Sequence, residues 1–323
     1  MLLAIFAVVI SLAVLAISAD KFVDGASAVA YKVGMSPLLI GLTVVSFGTS
    51  APEILIAVMS ATGDNPGIAI GNAIGSNVAN IALILGVASL IIPLPVASTV
   101  LRRELPLLLA AVLFSSALLL DLKLSVTDGI AMIVTLCLCL CWLIYQSKTG
   151  QDDIIADEYE EAVDQDASFK GAMIMTVVAL LTLLVSSRIL VWGAVEIARA
   201  LHVSELMIGL SIVAIGTSLP ELAATIACVI RKEYDLAIGN VVGSNLFNAL
   251  AVLGVVAILA PTDVDAMVRN RDLVVQLVLT VALLVFCIGL RGKEGRINRF
   301  EGLAFVAAFA CYQWLIYSQE IGG

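Results

Sequence analysis

Two glutamates, Glu53 and Glu221, lie in long apolar stretches and inside nearly the same string. The strings are Gly48-Thr49-Ser50-Ala51-Pro52-Glu53 and Gly216-Thr217-Ser218-Leu219-Pro220-Glu221. A carboxylate deep in hydrocarbon is costly and is usually functional. The bland alternative, a protonated and hydrogen-bonded core glutamate, gives no reason for the string to recur. Ser46, Thr49 and Glu53 are three and four residues apart, so on a helix their oxygens share a face. Pro52 lacks an N–H and its ring crowds the carbonyl four residues back, so a kink should free carbonyls near Ser46 and Gly48. Ala214, Thr217, Ser218, Pro220 and Glu221 repeat the arrangement. A second stripe runs through Asn72, Ser76 and Asn80 at i+4 steps, with a copy in Asn240, Ser244 and Asn248. Asn77 and Asn245 fall off the stripe and read as helix-breaking or capping residues. Two carboxylates with hydroxyls, amide oxygens and freed carbonyls make an all-oxygen site for a hard cation. Ca²⁺ takes ~6–8 oxygens in flexible geometry, and two glutamates neutralise one such ion. A soft or transition metal would want Cys, His or Met, and none is placed in these strings.

These strings belong to longer blocks, residues 41–86 and 209–254, which align without a gap at an offset of 168 with 18 identities in 46 positions. The identities are mostly Gly, Pro, Ser, Thr, Asn and Glu, the opposite of chance hydrophobic similarity. Fainter echoes flank them: Gly25 with Gly193, Pro93 with Pro261, Arg103 with Arg271. Gly71-xxx-Gly75 and Gly239-xxx-Gly243 are patterns that let helix backbones approach closely. Packing accounts for these glycines as well as any ligand role does, so they stay outside the site.

The elements that carry the strings are membrane helices. The 323-residue chain is 61% hydrophobic and 13% charged, with mean hydropathy +1.09, against about 25% charged in soluble domains. A soluble enzyme, a disordered chain, a disulfide scaffold and a nucleic-acid binder are excluded, the last also by a net charge of −9. At ~20 apolar residues per crossing, ten spans are predicted: 2–19, 36–61, 69–91, 105–120, 126–146, 171–187 (running on toward Ala200), 204–230, 237–260, 273–290 and 300–318. The first run has no basic flank and reads as a retained helix, not a cleaved signal peptide. Lys and Arg in the loops divide twelve (Lys21 and Lys32 among them) against five. The larger set marks the cytoplasm, so both termini face outward. Cys137, Cys139, Cys141, Cys228, Cys287 and Cys311 read as buried thiols packing as small hydrophobes. The acidic stretch 147–170 is a cytoplasmic linker without the spacing of a calcium loop.

Five spans per copy is an odd number, so the second copy enters the membrane from the opposite side. The predicted fold is an all-α integral membrane protein: ten helices in two inverted five-helix repeats, 1–146 and 171–323, joined by 147–170. Helices 2, 3, 7 and 8 are expected to be broken around a midplane ion site, the design of secondary transporters. A cation channel would need a continuous pore, which an occluding site between such repeats opposes. For a membrane enzyme, no nucleophile–base pair is visible and the single His202 falls in an outer loop.

The paired blocks resemble the two alpha-repeats of the sodium/calcium exchanger family, within the calcium:cation antiporter superfamily. The first block departs by reading Ser46-Phe47-Gly48 where the pattern begins with glycine. The layout is similar to the compact bacterial inner-membrane members. The resemblance implies Na⁺-driven Ca²⁺ antiport by alternating access, two helices sliding against a bundle of eight. It implies no cofactor and no obligate protein partner beyond the lipid bilayer. Its ion ligands fall on Thr49, Ser50, Glu53, Ser76 and Asn80, and on Thr217, Ser218, Glu221, Ser244 and Asn248, with the backbone carbonyls of Ser46 and Ala214. Some members carry an aspartate at the place of Asn248; with Asn80 and Asn248 both amides, the site here has two carboxylates. Ca²⁺/H⁺ exchange on the same scaffold is the alternative reading.

Overall fold

The computed structural model describes residues 1–63, 66–97, 100–149, 168–201, 214–288 and 295–322. The described residues are helical nearly throughout. In the first half, α1 (Leu2–Val33) ends where Gly34 adopts φ 68°, a left-handed conformation that glycine takes without strain. Then come α2 (Pro37–Thr49), α3 (Ala51–Thr62) and α4 (Pro66–Ile91). Strand β1 (Leu94–Val96), α5 (Leu105–Leu118), β2 (Lys123–Leu124) and α6 (Val126–Thr149) complete that half. The second half holds α7 (Phe169–Ala200), α8 (Ala214–Thr217), α9 (Leu219–Ile230), α10 (Tyr234–Leu259), β3 (Thr262–Asp263), α11 (Val268–Cys287), β4 (Gly295–Ile297) and α12 (Arg299–Gly322). Among the described residues seven helices are long and apolar enough to cross a membrane, and the bent pair α2–α3 makes an eighth. The remaining two predicted spans hold the shorter α5 and the α8–α9 pair.

Several expectations need correction. α1 does not stop at Ala19. It continues through Lys21 and Lys32 to Val33, because Lys21 and Asp24 pair within one turn at 3.1 Å and Arg231, just past the end of α9, reaches both Asp20 and Asp24. Its 32 residues measure about 48 Å, longer than a bilayer core. The third and eighth spans are unbroken. α4 and α10 each run 26 residues, absorbing their irregularity as π-helical turns at Asn80–Leu85 and Phe247–Val252. Such turns keep every backbone group paired while adding a residue to the ring, which hydrocarbon favours over an open break. Of the cysteines, Cys139, Cys228 and Cys287 are buried, whereas Cys137, Cys141 and Cys311 face outward. Outward helix faces in lipid accept apolar side chains as readily as the core does. His202 and most of the acidic linker lie outside the described residues.

The packing repeats at the offset seen in the sequence, with partners exchanged. Gly25 of α1 abuts Thr176 of α7, and Gly193 of α7 abuts Ala4 and Val8 of α1; Val8 and Thr176 are 168 apart. β1 pairs antiparallel with β4, and β2 with β3, so each strand after a polar-striped helix joins the opposite half. Gly86 of α4 meets Gly302 of α12, and Gly129 of α6 meets Gly254 of α10. The tightest crossing is α2 on α10. A Cβ on Gly41 would lie 2.7 Å from the Leu236 carbonyl, and one on Gly239 would lie 2.5 Å from that of Leu38. The Gly239-xxx-Gly243 pattern therefore does bring two backbones together, and that crossing carries the polar centre.

Candidate functional site

The break between α2 and α3 bends the chain by 44° at Ser50, and α8 gives way to α9 at Ser218. Pro52 and Pro220 sit in the first turns of the helices that follow, where a missing N–H does no harm. Glu53 and Glu221 occupy those same first turns, where the positive end of the helix dipole favours a carboxylate. Proline thus creates a helix N-terminus inside the helical bundle and the glutamate stands at it. Both glutamates are buried, at 0% and 1% exposure.

Among the described residues four hydrogen bonds join the halves around the two glutamates. Thr49 Oγ1 donates to Asn240 Oδ1 at 3.1 Å, and Thr217 Oγ1 donates to Asn72 Oδ1 at 3.4 Å. These two are the same bond with partners exchanged. Ser50 Oγ donates to Glu221 Oε1 at 3.2 Å, and Asn80 Nδ2 donates to Asn245 Oδ1 at 3.0 Å. Asn240 is further held through Nδ2, which donates to Thr225 Oγ1 at 3.0 Å and to the Glu221 carbonyl at 3.4 Å. Ser76 is buried beside the Glu53 carboxylate. The Ser46 hydroxyl turns back to the Leu42 carbonyl of its own helix at 2.7 Å.

Around these bonds is a concentration of buried oxygens with no hydrogen-bond partner. They are both Glu53 carboxylate oxygens, Glu221 Oε2, Asn80 Oδ1, Asn248 Oδ1, Ser218 Oγ and Ser244 Oγ. Each buried unsatisfied group costs ~1–3 kcal/mol, and native structures keep few of them. Amide nitrogens of Asn72, Asn77 and Asn248 are unpartnered as well, but the oxygens, with two carboxylates among them, are of the type that suits a hard cation. Among the described residues no group of three or more His, Cys, Asp or Glu side chains converges, so nothing there resembles a thiolate or imidazole centre.

The freed-carbonyl expectation holds differently in the two halves. The Ser46 carbonyl is not orphaned, because the Ser50 amide donates to it at 2.9 Å. In the second half the Ser218 amide donates to the Ile215 carbonyl at 3.1 Å. Pro220 deprives Gly216 of its helical donor, and the Ser187 hydroxyl of α7 fills that role at 3.3 Å. Asn245 neither breaks nor caps a helix, since α10 runs through it and its side chain accepts from Asn80. Asn72, Asn240 and Thr225 do more than sequence reasoning assigned them. The i+4 stripe marked both asparagines, but nothing local indicates that a threonine of the opposite half would bind each. Asp272, another buried carboxylate, is fully engaged by Arg271 at 2.7 Å and the Tyr312 hydroxyl at 2.9 Å.

An all-α membrane protein with a buried, oxygen-lined centre shared by two similar halves is built as a cation transporter. The profile of the family described as sodium/calcium exchanger protein matches residues 3–145 and 171–318, and the chain belongs to that family of membrane antiporters. CaxA of Alkalimonas amylolytica is 43% identical over 319 residues, 98% of this chain and 100% of its own. The inner membrane protein YrbG of Escherichia coli K12 is 36% identical over 323 residues, 98% of each chain. Among solved structures, the sodium-calcium exchanger NCX_Mj superimposes with a TM-score of 0.82 at 29% identity, covering 96% of this chain and 97% of its own.

Proposed function

We propose that this protein exchanges Ca²⁺ for Na⁺ across a bacterial-type inner membrane by alternating access. The ion would be held by Thr49, Ser50, Glu53, Ser76, Asn80, Thr217, Ser218, Glu221, Ser244 and Asn248, with the carbonyls of Ser46 and Ala214. The observation that carries this reading is the group of buried oxygens without partners flanked by the exchanged Thr49–Asn240 and Thr217–Asn72 bonds. Protein donors satisfy part of the centre, and the oxygens they leave include carboxylate oxygens of both glutamates. Two carboxylates balance one Ca²⁺, and a site that must also release Na⁺ gains from the weaker amides Asn80 and Asn248.

The reading takes the chain as ten spans in two inverted repeats, 1–146 and 171–323, joined by the linker 147–170. The partner exchange between Gly25–Thr176 and Gly193–Val8, and between β1–β4 and β2–β3, supports it. Inversion gives each half the role at one membrane face that the other half has at the opposite face. Both termini then lie outside and the linker inside, in keeping with the bias of Lys and Arg. Cysteines introduced within 152–166 should react with an impermeant maleimide only from the cytoplasm, and one near Gly323 only from outside. Cytoplasmic reaction at Gly323 would make the span count odd.

The direct test of function is ⁴⁵Ca²⁺ uptake into proteoliposomes. Uptake should follow an outward Na⁺ gradient, collapse when Na⁺ is equal on both sides, and show no dependence on a pH gradient alone. Uptake driven by a pH gradient without Na⁺ would replace Na⁺ by H⁺ as the counter-ion. Ca²⁺ flux without any counter-ion would make the protein a channel.

A further inference from the structure

We propose that Asn245 and Asn77 are positioning residues that take turns: Asn245 orients the Asn80 amide toward the ion in one access state, and Asn77 orients Asn248 in the other. An asparagine ligates a cation only through Oδ1, so its NH₂ must turn away and find an acceptor. Asn80 meets that condition. Its Nδ2 donates to Asn245 Oδ1 at 3.0 Å, and its Oδ1 is buried without a partner. Both side chains are 1% exposed, so bulk solvent does not reach them.

The corresponding pair, 168 positions along, is Asn248 with Asn77. The residue types are identical, yet that bond is absent: both polar atoms of Asn77 and both of Asn248 are buried and unpartnered. The same one-sidedness appears next to it. Ser50 donates to Glu221, whereas Ser218 Oγ and both Glu53 oxygens have no partner. Two halves with the same local sequence and different bonding are in different conformations. Under the alternating-access reading, on which this inference rests, the halves exchange conformations between states. The Asn80–Asn245 bond then opens as Asn248–Asn77 closes, so each bond stabilises one access state only.

The consequence is a sign. Asn245→Ala removes a bond made in this conformation and should shift the population toward the opposite state. Asn77→Ala should shift it toward this one. A buried amide hydrogen bond has a net worth of about 1 kcal/mol, so each ratio of states should move roughly fivefold. The experiment is electron–electron distance measurement on spin labels attached through Leu12→Cys on α1 and Val274→Cys on α11, both exposed positions. The six native cysteines are replaced, and Na⁺-driven Ca²⁺ uptake of the parent is measured in parallel. Opposite shifts in the two-state distance distribution establish the proposal, and the double variant should return near the parental ratio. Shifts of the same sign, or none in either variant, overturn it, because a merely structural role would perturb both alike. Should an alanine variant fail to insert, Asn245→Ser and Asn77→Ser carry the same signed expectation. A parent that moves no Ca²⁺ while the populations shift oppositely would refute the cargo and leave the asparagine pair standing.

Discussion

Glu53→Gln and Glu221→Gln should each nearly abolish Ca²⁺ exchange while the protein still inserts and stays monodisperse in detergent. Glutamine keeps the shape and one acceptor oxygen, so the substitution tests charge with little change in packing. A Ca²⁺ ion facing one carboxylate in place of two retains net positive charge in a buried site. At 4 Å the lost attraction is ~4 kcal/mol for an effective dielectric near 20, about a thousandfold in affinity. Because both residues occupy equivalent first turns after equivalent prolines, the two defects should be similar in size. They should also be strongly non-additive, since the second loss falls on a site that already binds poorly. Isothermal titration with Ca²⁺ and ⁴⁵Ca²⁺ uptake provide the measurements. Near-normal binding in both single variants would remove the glutamates from the ion site. A defect confined to one would mean that the halves have diverged into a ligand half and a scaffold half.

The second large effect concerns a residue with no polar atoms in its side chain. At Gly239 an added Cβ would lie 2.5 Å from the Leu38 carbonyl oxygen and 3.1 Å from the Leu42 nitrogen. Both are backbone atoms of α2, which cannot rotate aside as a side chain can. Gly239→Ala must therefore push α2 and α10 apart, and Gly239→Val more so. Overpacking of this kind costs on the order of 3 kcal/mol, which should appear as a Tm lowered by several degrees in detergent, graded from Ala to Val. The same displacement lengthens the Thr49–Asn240 bond, which the next residue of α10 makes. Ca²⁺ affinity should fall together with stability, without any change in the charge of the site. An unchanged Tm in Gly239→Val would show that the crossing is loose in the membrane.

Residue type carried much of the site. A glutamate after Thr-Ser-x-Pro in an apolar run, duplicated 168 residues on, is legible because hydrocarbon excludes charge unless it is used. Proline dictates a break without any knowledge of neighbours, and both breaks fall at the serines ahead of Pro52 and Pro220. Composition and apolar runs were enough for the class of protein. They did not set helix lengths, since the polar turn at Asp20–Asp24 looks like a loop until Arg231 is brought beside it. Nor could the asparagine stripes reveal whether α4 and α10 were broken, because a π turn and a break begin from similar local sequence.

That two equivalent sets of oxygens exist, each on a helix of the same design, is readable from the residues alone. Which oxygens pair with each other follows from how the helices pack. Thr49 finds Asn240 and Thr217 finds Asn72 across the halves, whereas Asn80 finds Asn245 and Asn248 finds nothing. Local sequence is the same on both sides of those differences. Bonds between helices far apart in the chain depend on how side chains of different helices meet, which local sequence does not specify.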